Sequence, residues 1–235
     1  MNTELIVALD VPSASQIPPI VDSLPEAVVW YKVGLELFTS EGPRAFDFLR
    51  DRGKRVFLDL KLHDIPRTVA NAVLSAARHG VGMLTIHAHG GRQMLKAAAN
   101  AAGEAGVGSV ELLAVTTLTS LDDSDLRELG ICRSVADHSV ALAAMALDAG
   151  IRGLVCSVHE ASAFRQRFGS APVLVTPGIR PIGTDLGDQK RIATPTVAIK
   201  GGATYLVVGR PILEAPDRGA AAAAILREMA QASLQ

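Results

Sequence analysis

The sequence predicts a single-domain (β/α)8 barrel, an α/β fold of eight parallel strands spanning residues 1–235. Three observations predict it. Eight short apolar runs alternate with helix-like segments along the whole chain, as expected of strands joined by crossover helices. Hydrophobic residues make up 49% of the chain and aromatics only 4%, a balance that fits aliphatic strands buried under alanine-rich helices. Charged and polar residues gather where the apolar runs end, the place where such barrels carry their chemistry. A doubly wound open sheet uses the same elements, and the number of strands alone does not exclude it.

The first run, residues 5–9, is stopped by Asp10, and the second, 28–33, carries Lys32 near its end. A helix-like segment over 42–52 leads to the third run, 56–60. Asp59 and Lys61 stand two apart at its end, so on a strand of period two they share a face. A helix over 69–79 precedes the fourth run, 83–86, which ends in His87-Ala88-His89. A helix over 92–102 follows, then the fifth run, 110–115, with Thr119 beyond it. Helices over 134–149 and 160–168 flank the sixth run, 153–156. The seventh, 173–175, is followed by Pro177-Gly178-Ile179-Arg180-Pro181, and the eighth, 205–208, by Gly209-Arg210-Pro211. Residues 220–224 are all alanine and fit inside a final helix. Glycines recur just past the helical segments, where helices commonly stop.

With 23 basic and 24 acidic residues the net charge is −1, so no global field draws the chain to nucleic acid or to an anionic membrane. The amino terminus has no basic leader before its short apolar run, which argues against a signal peptide. No uninterrupted apolar segment is long enough to span a bilayer. Cys132 and Cys156 have neither metal-type nor redox-motif spacing, which points to a reducing, cytoplasmic compartment.

Asp59, Lys61 and Asp64 form a D-x-K-x-x-D pattern. Buried charges need partners, so the plainest reading is an ion pair that satisfies itself. If Lys32 faces inward rather than snorkelling to the rim, an alternating Lys32-Asp59-Lys61-Asp64 chain results, and each lysine is held as a cation by a carboxylate neighbour. Arg180 and Arg210, with the open backbone of Gly209, occupy the two loops where barrels often hold a phosphate. Residues 183–189 are polar and glycine-rich, either a lid over a ligand or an ordinary surface loop. His87 and His89 offer only two metal ligands where a site needs more. His63 reads as a packing or hydrogen-bonding residue.

The run from Asp59 to Thr68, DLKLHDIPRT, completes a set of motifs that resembles the orotidine 5′-phosphate decarboxylase family. The other members of the set are Val7-Ala8-Leu9-Asp10, Lys32-Val33-Gly34, His87-Ala88-His89-Gly90-Gly91, residues 116–120, Thr176-Pro177-Gly178-Ile179-Arg180, Asp188-Gln189 and Val207-Val208-Gly209-Arg210-Pro211. The similarity runs over almost the whole chain. It implies a homodimeric TIM barrel that converts orotidine 5′-monophosphate to uridine 5′-monophosphate and CO2, the last step of de novo pyrimidine synthesis, without metal or organic cofactor. Carried over by position, it implies that Lys61 donates the proton, with Lys32, Asp59 and Asp64 completing the charged network. It further implies that Asp64 and Thr68 reach into the neighbouring subunit's site. Asp10 and Lys32 would hold the ribose and Thr119 the pyrimidine, with Gln189, Arg180, Gly209 and Arg210 serving the phosphate and lid. Two alternatives remain open: a magnesium-dependent sugar-phosphate decarboxylase or synthase with the same acidic pattern, and a phosphate-binding barrel without activity.

Overall fold

The computed structural model describes residues 3–106, 110–181 and 193–234. Within them, eight parallel strands close into a barrel in sequence order: β1 (Glu4–Leu9), β2 (Trp30–Val33), β3 (Arg55–Leu62), β4 (Met83–His87), β5 (Glu111–Val115), β6 (Gly153–Val155), β7 (Val173–Thr176) and β8 (Tyr205–Val208), with β8 pairing back onto β1. The open-sheet alternative is thereby set aside. The helices are α1 (Ile17–Ser23), α2 (Leu35–Glu41), α3 (Asp47–Asp51), α4 (Pro66–Arg78), α5 (Gly91–Glu104) and α6 (Asp123–Glu128). They continue with α7 (Val135–Asp148), α8 (Val158–Phe168), α9 (Pro195–Lys200), α10 (Arg210–Leu213) and α11 (Arg218–Ala232).

Alternation along the strands sorts the apolar residues into two layers. Ile6, Ala8, Trp30, Phe57, Met83, Leu113, Val175 and Val207 form one cluster, filling the barrel. Their neighbours one position away, among them Leu5, Val7, Tyr31, Val56, Leu58 and Leu84, pack against the helices in the larger cluster with Ile17, Val69, Val73 and Leu95. This is the period-two pattern of strands buried on both faces. At the end where the strands begin, Trp30 closes the interior, with the Arg55 guanidinium 4.0 Å above its ring and Tyr205 edge-on at 5.8 Å. The chemistry is left to the opposite end.

One expected helix differs. Residues 42–52 were expected as a single helix, but α2 ends at Gly42, whose φ of 59° only glycine adopts freely. A 3-10 turn over Gly42–Phe46 then leads into the short α3. Pro43 starts a new turn instead of continuing the old one.

Candidate active site

A cavity at the carboxyl ends of the strands is lined by Asp10, Lys32, Asp59, Lys61, Thr119, Arg180, Gly209 and Arg210, eight of the residues singled out from sequence. Ala8, Phe57, Val155, Val175 and Val207 complete it with an apolar wall, and Pro177 and Gly178 line its β7 side.

The charged groups form a chain across β1, β2 and β3. Lys61 Nζ donates to Asp59 Oδ1 at 2.8 Å. Lys32 Nζ lies 3.7 Å from Asp59 Oδ2 and donates to Asp10 Oδ1 at 2.9 Å. Side-chain exposure is 12% for Lys32, 14% for Asp59 and 33% for Lys61, so the two Asp59 pairs act in a medium far less screening than water, whereas Asp10, 55% exposed, meets Lys32 at the solvent edge. Burial alone would push the Asp59 carboxyl up. The Lys32 and Lys61 ammonium groups, with hydrogen bonds from Lys61 and Thr85, outweigh it and hold Asp59 below the usual carboxylate range.

The backbone around this chain is shaped for it. Lys61 has φ 50°, unique among the described non-glycine residues in its left-handed conformation. It sits where β3 loses register with β4: Leu58 pairs with Leu84, but the next pair is Leu62 with Ile86. Close approach of the backbone explains two glycines. A Cβ on Gly34 would lie 2.9 Å from Lys32 Nζ, and one on Gly209 would lie 3.3 Å from Asp10 Oδ2.

Asp64 does not join this row of charged groups. The expected Lys32-Asp59-Lys61-Asp64 row is replaced by Asp10-Lys32-Asp59-Lys61. Asp64 and Thr68 are exposed and lie outside the cavity, and Asp64 Oδ1 accepts the Ile65 backbone N–H at 2.6 Å, ahead of α4. Arg180 is 8% exposed and donates to the Ile179 carbonyl at 3.0 Å. Arg210 opens α10 directly after Gly209. Gln189 and the expected lid, 183–189, lie outside the described residues.

Sequence reasoning missed two groups of residues. Thr85 Oγ1 accepts the Lys61 N–H at 2.8 Å and donates to Asp59 Oδ1 at 3.0 Å. Its signal was a polar residue two positions after Met83, on the inward face of an apolar strand. Behind Thr119, Thr117 lies 2.7 Å from Ser139, whose hydroxyl meets Glu160 at 2.5 Å, and Glu160 also accepts the Ser157 N–H and hydroxyl. The capping-box spacing of Ser157 and Glu160 was legible in sequence, but their link to the β5 loop was not.

His87 and His89 belong to a row of imidazoles. His63 stacks on His87 with centroids 5.5 Å apart, and His89 Nε2 lies 2.8 Å from His138 Nε2. His87 Nδ1 accepts the His89 backbone N–H at 3.4 Å and lies 3.2 Å from His89 Nδ1. In the neutral row His89 therefore carries its proton on Nδ1 and accepts from His138 at Nε2. Burial, then His89, His63 and Lys61, push His87 down to about 4. Among the described residues no three His, Cys, Asp or Glu side chains are grouped as metal ligands.

Comparison with known proteins agrees with this geometry. Residues 3–225 match the model of the Orotidine 5′-phosphate decarboxylase / HUMPS family. The chain is 48% identical over 228 residues to the orotidine 5′-phosphate decarboxylase of Sodalis glossinidius, covering 97% of this chain and 90% of that one. It is 50% identical over 216 residues to the same enzyme of a Marinomonas species, covering 92% of each. The crystal structure of orotidine 5′-phosphate decarboxylase from Lactobacillus acidophilus superposes with a TM-score of 0.85 at 38% identity, covering 97% of this chain and 99% of that one. An uncharacterized conserved protein from Geobacillus kaustophilus superposes with a TM-score of 0.84 at 36% identity, covering 96% and 99%. By its motifs, its barrel and these matches, the chain belongs to the orotidine 5′-phosphate decarboxylase / HUMPS family.

Proposed function

We propose that the protein decarboxylates orotidine 5′-monophosphate to uridine 5′-monophosphate and CO2, completing de novo pyrimidine synthesis. One observation carries the reading: Lys61, Asp59 and Lys32 form an interlocked charge chain on one side of a cavity whose other side is built from Arg180, Gly209 and Arg210.

Loss of CO2 from C6 of the pyrimidine leaves the bonding electron pair on an sp2 carbon with no carbonyl placed to delocalise it. Fixed charge must stabilise that carbanion. The Lys61 ammonium, which donates to Asp59 Oδ1 at 2.8 Å, supplies the charge and transfers its proton to C6, then regains a proton from solvent. Asp59, kept ionised by both lysines, opposes a substrate carboxylate placed beside it. Lys32 and Asp10 are paired in reach of the ribose, Thr119 serves the base, and Arg180 and Arg210 offer guanidinium forks to the phosphate. Gln189 and the 183–189 segment belong to this reading as phosphate contact and lid. Binding energy from the distant phosphate is then available to the reacting centre.

The active unit in this reading is a homodimer whose sites are shared, with Asp64 and Thr68 serving the partner. Their exposure outside their own cavity supports it, as does Ile65, an apolar side chain 66% exposed between them. No helix among the described residues is long and apolar enough to cross a membrane. The free cysteines, one exposed and one buried, support a reducing cytoplasm.

The test is ultraviolet-monitored loss of orotidine 5′-monophosphate with and without EDTA, with Lys61→Ala as the blank. Turnover that survives EDTA and vanishes in the variant is expected. EDTA-sensitive turnover would reopen the question of a metal site, and no turnover by folded protein would shift the reading to the magnesium-dependent sugar-phosphate relatives or to a binding barrel without activity.

A further inference from the structure

We infer that Thr85 is a positioning residue for the reaction, holding Lys61 and Asp59 in register at the one place where β3 breaks step with β4. The inference rests on the reading of Lys61 as proton donor.

Between the pairs Leu58 with Leu84 and Leu62 with Ile86, three residues of β3 face a single residue of β4. Asp59, Leu60 and Lys61 stand against Thr85 alone. Such a bulge takes backbone groups out of the ladder, and a buried N–H without a partner is costly. The Thr85 hydroxyl replaces the missing ladder acceptor for Lys61, at 2.8 Å, and spends its own proton on Asp59 Oδ1, at 3.0 Å. That same oxygen accepts the Lys61 ammonium at 2.8 Å. One hydroxyl thus fixes the backbone of the donor and the carboxylate that holds its side chain.

Two further features make the pin specific. Lys61 has φ 50°, which a residue with a Cβ leaves readily unless its neighbours hold it. Thr85 is 1% exposed and β-branched, so its hydroxyl has little freedom to point elsewhere. Without the hydroxyl, the Lys61 N–H and one Asp59 lone pair lose their partner together. Lys61 then relaxes toward the extended conformation and its ammonium leaves Asp59. A threonine that merely fills space would be replaced by valine without consequence, since the two have nearly the same shape.

The test compares T85V, T85S, Lys61→Ala and wild type in steady-state turnover of orotidine 5′-monophosphate, with uridine 5′-monophosphate affinity by calorimetry. T85V is expected to lose about 100-fold in kcat, the scale of a small misplacement of a reacting group, while KM and product affinity stay within about threefold. T85S, which restores the hydroxyl, recovers most of that loss. The acid limb of the T85V kcat profile moves to higher pH, because Asp59 has lost a donor to its charged form. Unchanged kcat in T85V, a loss confined to KM, or an equal loss in T85S would overturn the role of Thr85. Undiminished turnover by Lys61→Ala would instead overturn the donor reading, whatever T85V does. If T85V does not fold, amide exchange in the wild type decides: a protected Lys61 N–H supports the pin, and free exchange with solvent overturns it.

Discussion

Lys32 Nζ lies 2.9 Å from Asp10 Oδ1, joining the residue just past β1 to the penultimate residue of β2 across the mouth of the barrel. The contact fixes the ammonium that also faces Asp59, and it leaves no room beside it. Gly34 has φ −96° and ψ −172°, a conformation open to alanine, yet its Cβ would sit 2.9 Å from Lys32 Nζ. Gly34→Ala is therefore expected to fold normally and to lower kcat/KM by about tenfold or more through displacement of Lys32 alone. Thermal unfolding and steady-state kinetics on the same sample check both halves.

Lys61 joins the proposed chemistry to backbone strain, and two substitutions separate them. Lys61→Ala and Lys61→Gly remove the same charge and should both abolish turnover. They differ in backbone cost, because alanine at φ 50° bears a left-handed penalty of about 1–2 kcal/mol that glycine escapes. Lys61→Gly is expected to be at least as stable as Lys61→Ala, the reverse of the usual order within a strand. Urea midpoints of the two variants measure the difference. A clearly more stable alanine variant would remove the strain from the account.

The imidazole row predicts acid sensitivity. His87 is pushed from its ordinary value of 6.5 to about 4 by burial, then by His89, His63 and Lys61. Its folded value is depressed, so its contribution to stability is complete above 6.5 and is lost as pH falls toward 4, where the unfolded chain takes up a proton that the folded chain refuses. His89 and His138 are shifted the same way, His89 by burial, His138 and His63, and His138 by burial and Arg133. Urea midpoints are expected to drop between pH 6.5 and 4, and to drop less in His87→Asn. Parallel declines in the two proteins would mean that His87 stays neutral for free.

The legible parts of this chain were those set by local pattern. Period-two alternation placed Asp59 and Lys61 on one face, and apolar runs broken by polar residues placed Asp10, Thr119, Arg180 and Arg210 at the strand ends that converge on the cavity. The bulge at Lys61 was not legible, because it exists only in the register of β3 against β4. Thr85 gains its part from that register and not from its neighbours in sequence. The start of α2 was hidden because Gly42-Pro43 reads equally well as the beginning of a helix and as the end of one. Asp64 and Thr68 mark a different limit: residues expected to serve another subunit leave no trace of their target in their own chain.

Asp64 supplies the last prediction. It follows Lys61 by three residues, yet its carboxylate turns to the Ile65 N–H and away from the cavity that Lys61 lines. If each site takes Lys61 from one chain and Asp64 from the other, Asp64→Ala and Lys61→Ala homodimers each lack a member in both sites. A mixed dimer distributes the losses unevenly. One site loses both residues, and the other, in the chain carrying Asp64→Ala, keeps its own Lys61 and receives an intact Asp64 from its partner. Random exchange makes half of the dimers mixed with one whole site each, so recovery approaches about a quarter of wild-type activity. Mixing the two inactive variants, with exchange verified by a mass tag on one of them, measures it. Recovery on that scale establishes a shared site, whereas exchange without recovery confines Asp64 to its own chain.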